Sequence, residues 1–168
     1  MATNAVTRDE DAIEVEVQIS APPDRVFQAI TDPAQLLRWW GQQGMYHGTK
    51  WCTDVRPGGQ WRCEGVSDAD GSAYSVNGEY LEVDPPRLLI HTWISSWGGP
   101  LKTVVRWELE PAADGTLVRL HHSGFAGAPA QAEGHYQGWL RVVAWMQAFV
   151  EEGETVATRP PISAAPQN

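Results

Sequence analysis

The sequence predicts an α+β domain in which a seven-stranded, curved antiparallel sheet wraps one long C-terminal helix, with two short helices after strand one. Three observations carry this. From Pro129 to Glu152, the residues Tyr136, Trp139, Leu140, Val142, Val143, Met146, Phe149 and Val150 recur at three- and four-residue spacing, the apolar face of one helix. From Trp51 to His122, six apolar segments are joined by turns too short for crossovers, which favours antiparallel neighbours. No second large helix is available, so the sheet must bury its apolar face on the only one there is.

Each element has a local cause. Ile13, Val15, Val17 and Ile19 alternate with Glu14, Glu16 and Gln18, the period of a strand with one wet and one buried face. Pro22 and Pro23 stop it, and Val26, Phe27, Ala29 and Ile30 fall on a helical period behind Asp24. Asp32-Pro33 restarts a second short helix from Ala34 through Trp40. Gly41 and Gly44 end it, and a loop through Met45, Tyr46, His47 and Gly48 follows. The strands then run Trp51 to Arg56, Gln60 to Val66, Tyr74 to Val83, Leu88 to Ser95, Thr103 to Glu110 and Thr116 to His122. Pro57-Gly58-Gly59, Ser67 to Gly71, Asp84-Pro85-Pro86, Gly98-Gly99-Pro100 and Ala113-Asp114-Gly115 are the turns between them.

A length of 168 residues, 42% hydrophobic, with nine tryptophans, is enough for one domain with a real core. That domain is expected over 11–153, with a disordered N-terminus over 1–10 and a disordered tail over 154–168, rich in Pro, Ala and polar residues without periodicity. Twelve basic residues against 21 acidic ones give a net charge of -9, which repels phosphate backbones and anionic lipid surfaces and argues against nucleic acid or membrane as partners. No signal-like start and no spanning run of roughly 20 apolar residues is present, so the expected location is cytoplasmic with reduced thiols.

Several segments in order carry a family resemblance: Ala21-Pro22-Pro23-Asp24-Arg25-Val26-Phe27, Thr31-Asp32-Pro33 with Leu36, Trp39-Trp40-Gly41, and Asp54-Val55-Arg56-Pro57-Gly58-Gly59. Gly78 to Pro86, His122-Ser123-Gly124-Phe125 and Gly138-Trp139 continue it. Over roughly Glu14 to Glu152 the chain resembles the START-like helix-grip superfamily (SRPBCC), in particular its branch related to the activator of the ninety-kilodalton heat-shock-protein ATPase. The resemblance implies the helix-grip fold and a cavity between helix and sheet. It does not imply one function, because the superfamily includes lipid carriers, polyketide cyclases, antibiotic-sequestering proteins and co-chaperones.

Strand alternation then nominates a lining. If Leu89 packs inward, His91 and Trp93 share its face; Val105, Trp107 and Leu109 point in, as do Val118, Leu120 and His122. Trp61, Cys63, Leu81 and Val83 join them from neighbouring strands, and Trp139 and Val143 from the helix. Core packing alone explains any one tryptophan, but the set, joined to the family's cavity, points to a pocket. The expected occupant is a hydrophobic, ring-containing small molecule bound among Trp61, Trp93, Trp107 and Trp139, with His91 near its polar end. Trp39 and Trp40 stand as candidates for the cavity mouth, at least one of them packing on the sheet. The alternative is a cavity enzyme of polyketide cyclase or hydrolase type using His91 or His122 as base, and a further alternative is co-chaperone-like protein binding. No cofactor is expected, and no metal, since Cys52, Cys63, His47, His121 and His135 show no ligand spacing. If Pro57-Gly58 centre a two-residue hairpin, Cys52 lies opposite Cys63; reduced thiols are the preferred reading.

Overall fold

In the computed structural model, residues 5–8, 11–99 and 101–162 are described. The chain order is β1 (Ala5–Arg8), β2 (Ala12–Ile19), α1 (Pro23–Thr31), α2 (Pro33–Trp39), β3 (Gly41–Gln42), β4 (Tyr46–Thr53) and β5 (Gln60–Ser67). β6 (Ala73–Asp84), β7 (Leu88–Ser95), β8 (Lys102–Ala112), β9 (Gly115–Ser123) and α3 (Pro129–Glu152) follow. One antiparallel sheet holds all nine strands in the order β1-β2-β9-β8-β7-β6-β5-β4-β3. The seven expected strands are β2 and β4 through β9, and two short strands extend the edges.

Local chemistry sets the helices. Asp32 serves two of them: its N–H closes α1 on the Gln28 carbonyl, and its carboxylate accepts from the Ala34 N–H to open α2. Trp39 is the last helical residue, not Trp40, whose backbone is extended (φ -87°, ψ 104°). α3 ends at Gly153, a left-handed residue (φ 73°) whose N–H reaches the Phe149 carbonyl.

The core lies between sheet and α3, where Leu89, Val105, Trp107, Leu109 and Leu120 meet Trp139, Val142, Val143, Met146 and Phe149. Val26, Phe27, Leu36 and Trp39 close one end of it from the short helices. Trp39 is fully buried and its indole N–H donates to the Ala29 carbonyl at 2.8 Å.

Four expectations change. β4 begins at Tyr46 rather than Trp51, so the supposed loop through Gly48 is mostly strand, bulged between Gly48 and Lys50. The β4–β5 connection is longer than two residues, Asp54 N–H still bonding the Gln60 carbonyl, and the register therefore sets Trp51 against Cys63 and Arg62 against Cys52. The two thiols lie on opposite faces, Cys52 exposed and Cys63 buried, and both are free. At the N-terminus, Ala5–Arg8 pairs with β2 instead of being disordered, the rest of the expected disorder there falling outside the described residues.

The fourth change is the tail. Residues 154–162 form a strap over the end of α2, while 163–168 lie outside the described residues. Val156 N–H donates to the Arg38 carbonyl and Ile162 N–H to the Gln43 carbonyl. Arg159, 3% exposed, donates to the carbonyls of Trp39 (2.6 Å), Gly41 (2.6 Å) and Trp145 (3.1 Å) and pairs with Glu154 at 2.7 Å. One side chain thus satisfies carbonyls that a helix end and a two-residue strand leave unpaired.

Candidate functional site

A cavity of about 360 Å³ lies between α3 and strands β4 to β7. Five tryptophans (Trp40, Trp51, Trp93, Trp97, Trp139) and two tyrosines (Tyr46, Tyr74) make most of its wall, with Met45, Cys63, Val76, His135 and Val142. The extended conformation at Trp40 brings its ring within 5.2 Å of Trp51, 5.8 Å of Trp139 and 6.4 Å of Trp93, centroid to centroid. Gly65 leaves the space its side chain would fill to the Tyr74 phenol, which is how a bulky ring enters the wall beside a neighbouring strand. Trp97, 45% exposed, stacks at 21° on His135 beside the opening.

On the helix side the wall is Gly134 and Gly138, four residues apart on one face of α3. A Cβ at either would meet nothing within 4 Å. Glycine in a helix interior costs about 1 kcal/mol relative to alanine, yet packing demands it at neither position. What the two glycines give is room.

The expected lining divides. Cys63, Trp93, Trp139 and Trp40 do line this cavity. Trp61, His91 and Trp107 surround instead a cleft of about 20 Å³, next to Trp93 and Trp139, with room for about one water. Val105, Leu120, Val143 and Trp39 belong to the solid core. Leu81 is 48% exposed because β6 bulges between Tyr80 and Glu82; the extra residue flips the parity, so that Tyr80 turns inward in its place. Of the residues the alternation did not nominate, Tyr46 and Trp51 sit on the strand taken partly for a loop, and Trp97 sits in a turn. Gly134 and Gly138 carried the one available signal, two glycines at helical spacing in an otherwise strong helix.

Three tryptophan indoles each donate to a histidine nitrogen. Trp107 donates to His91 Nε2 (3.2 Å), Trp139 to His122 Nδ1 (2.9 Å) and Trp93 to His135 Nε2 (3.2 Å). Each imidazole must then carry its proton on the other nitrogen. His91 Nδ1 donates to the Thr92 carbonyl (3.1 Å) and His135 Nδ1 to the Gln131 carbonyl (2.8 Å). His122 Nε2 donates to Thr103 Oγ1 (2.7 Å), whose own hydroxyl donates to the Trp93 carbonyl (3.1 Å). Burial holds all three neutral: it drives His91 down to about 4 against the opposing Thr92 bond, His122 well below the ordinary range, and His135 below it too. Neither His91 nor His122 keeps a nitrogen free to take a ligand's proton, so their geometry is that of braces for Trp107 and Trp139, as His135 is for Trp93.

The remaining groups are chemically quiet. Burial raises the Cys63 thiol to about 12 and the Tyr46 phenol to about 12, so neither ionises near neutrality. Among the described residues no three His, Cys, Asp or Glu side chains gather to hold a metal ion, and no buried side-chain N or O lacks a hydrogen-bond partner. No described helix is long and apolar enough to cross a membrane. The arrangement is suited to binding a flat apolar body.

The family described as Activator of Hsp90 ATPase homolog 1-like protein matches residues 20–151. Among solved structures, a protein from Rhodobacter sphaeroides is similar with a TM-score of 0.77 at 19% identity, over 88% of this chain and 97% of that one. One from Chromobacterium violaceum gives 0.73 at 28% identity, over 84% and 98%. CalU16 from Micromonospora echinospora gives 0.64 at 23% identity, over 91% and 88%. No curated protein matches.

Proposed function

From the premise that the chain belongs to the family of Activator of Hsp90 ATPase homolog 1-like proteins, we propose that it binds a ring-containing, largely apolar small molecule in the cavity between α3 and β4 to β7. The observation that carries this is the combination of five tryptophans around about 360 Å³ with two glycines facing that space from α3. The volume is near the lower end of the roughly 300–1,000 Å³ usual for small-molecule sites, which favours a compact ligand of a few fused or linked rings over a long acyl chain. Rigid indole faces suit flat partners, and two of the rings that would form the contact, Trp93 and Trp139, are already fixed by histidines, as is Trp107 behind them. Less side-chain freedom then remains to be lost on binding.

The test is a panel of neutral aromatic and polyketide-like compounds read by tryptophan emission and by melting temperature, on the wild type and on Gly138→Leu, whose side chain would occupy the cavity. A true ligand at about 100 times its Kd adds roughly 2.7 kcal/mol, or about 5–10 °C, to the wild type and little to the variant. Emission and melting unchanged across the panel would return the tryptophans to the role of core.

A further inference from the structure

Resting on that reading, we propose that the molecule taken by the cavity is an aromatic acid, whose anionic group is held by Arg141 while its rings lie among the indoles. Among the described residues Arg141 is the one charged side chain in the cavity wall. It stands on α3 three residues past Gly138 and seven past Gly134, one and two turns along the same face, so a ligand lying against the glycines extends toward it.

Among the described side chains, its lack of an ion pair, hydrogen bond or ring partner separates it from the other arginines. Arg56, Arg62, Arg87, Arg106, Arg119 and Arg159 each pair with an Asp or Glu. Arg25 and Arg38 lie over the Phe149 ring, at 5.2 and 5.5 Å from its centroid. Among the described residues Arg141 has neither an ion pair nor a hydrogen bond. In a chain of net charge -9 with 21 acidic residues, an exposed arginine at the mouth of an apolar cavity that pairs with no described side chain has its donors open to a ligand. A planar guanidinium presents paired N–H donors that match a carboxylate or sulfonate, and hydroxyl donors from Tyr46 and Ser67 line the same space. The overall negative charge does not oppose this at short range, because at physiological ionic strength charges more than about 8 Å away are largely screened.

A matched pair of fluorescent probes tests the proposal: anilinonaphthalene sulfonate, and its sulfonate-free parent N-phenylnaphthylamine, which has the same rings and no charge. Both are titrated into wild type, Arg141→Gln, Arg141→Lys and Gly138→Leu, with melting curves confirming that each variant is folded. The expected result is that both probes bind the wild type and both are lost in Gly138→Leu. Arg141→Gln then weakens the sulfonate about 5- to 10-fold and the neutral parent less than 2-fold, while Arg141→Lys restores part of the difference. Raising the salt should weaken the sulfonate alone. If the neutral parent binds in the cavity but the sulfonate binds no better and ignores Arg141→Gln, the acid is wrong while the cavity reading stands. If neither probe depends on Gly138→Leu, or neither binds, both fall together.

Discussion

Acidification is the perturbation that reports most directly on the buried imidazoles. His91 is neutral in the fold, with its pKa driven to about 4 mainly by burial, against an unfolded value near 6.5. As pH falls, the unfolded chain takes up a proton first, so the contribution is fully present above about 6.5 and is lost as pH drops toward 4. Between pH 7 and pH 5 the His91 share amounts to roughly 2 kcal/mol, or about 4–8 °C in Tm for a chain of this size. His122 and His135, also depressed by burial, add to the loss with the same sign. The assay is urea unfolding at pH 7, 6 and 5 of wild type and His91→Gln, since the amide oxygen of glutamine accepts the Trp107 N–H without titrating. The variant starts less stable at pH 7 but loses roughly 2 kcal/mol less on the way to pH 5. Parallel pH dependences for the two proteins would refute the assignment of His91 as a buried neutral brace.

Gly134→Ala and Gly138→Ala should each raise Tm by about 2–4 °C in calorimetry, because helix propensity gains about 1 kcal/mol and the added methyl meets nothing; a fall would show the space is not there. Arg159→Ala should lower stability by about 2–4 kcal/mol in urea unfolding, since it removes the side-chain donor from the Trp39 and Gly41 carbonyls, takes a second bond from the Trp145 carbonyl inside α3, and leaves Glu154 unpaired; a loss under 1 kcal/mol would mean the strap is ornamental. A maleimide should label Cys52 alone in the native protein and Cys63 only after unfolding, because Cys63 is buried and its thiol pushed to about 12. Two rapidly reacting thiols in the native state would contradict this.

What could be read from the sequence was whatever repeats with a period. α3 spans Pro129–Glu152, the residues that its apolar spacing marked; β2, β5, β8 and β9 follow their alternation closely, and β7 keeps its expected bounds although both its faces are largely buried. What escaped was local irregularity. A bulge after Tyr80 is one unpaired residue with no turn signature, and it was enough to put Leu81 in solvent. Arg159 sits among Pro, Thr and Ala without any pattern, and only the distant carbonyls of Trp39, Gly41 and Trp145 make it a buried residue. The tryptophans and histidines were nominated as cavity groups by face alone; face cannot say that the indole of one caps the ring of the other. Nor could alternation place the cavity along the helix, because that depends on where α3 lacks side chains as much as on where the sheet has them.

The seating of β2 beside β9 has a consequence for the growing chain. Ile19 pairs with Thr116 and Ala12 with Ser123, partners separated by roughly a hundred residues. At a synthesis rate of about 5–20 residues per second, the nascent polypeptide spends on the order of 5–20 s with β2 emerged and β9 not yet made. Through that interval Ile13, Val15, Val17 and Ile19 have only β1 alongside, and no α3 to cover them. A strand that ends up among the most deeply buried therefore waits through most of synthesis without β9 or α3, and over that interval its apolar face is a liability that the finished molecule has covered.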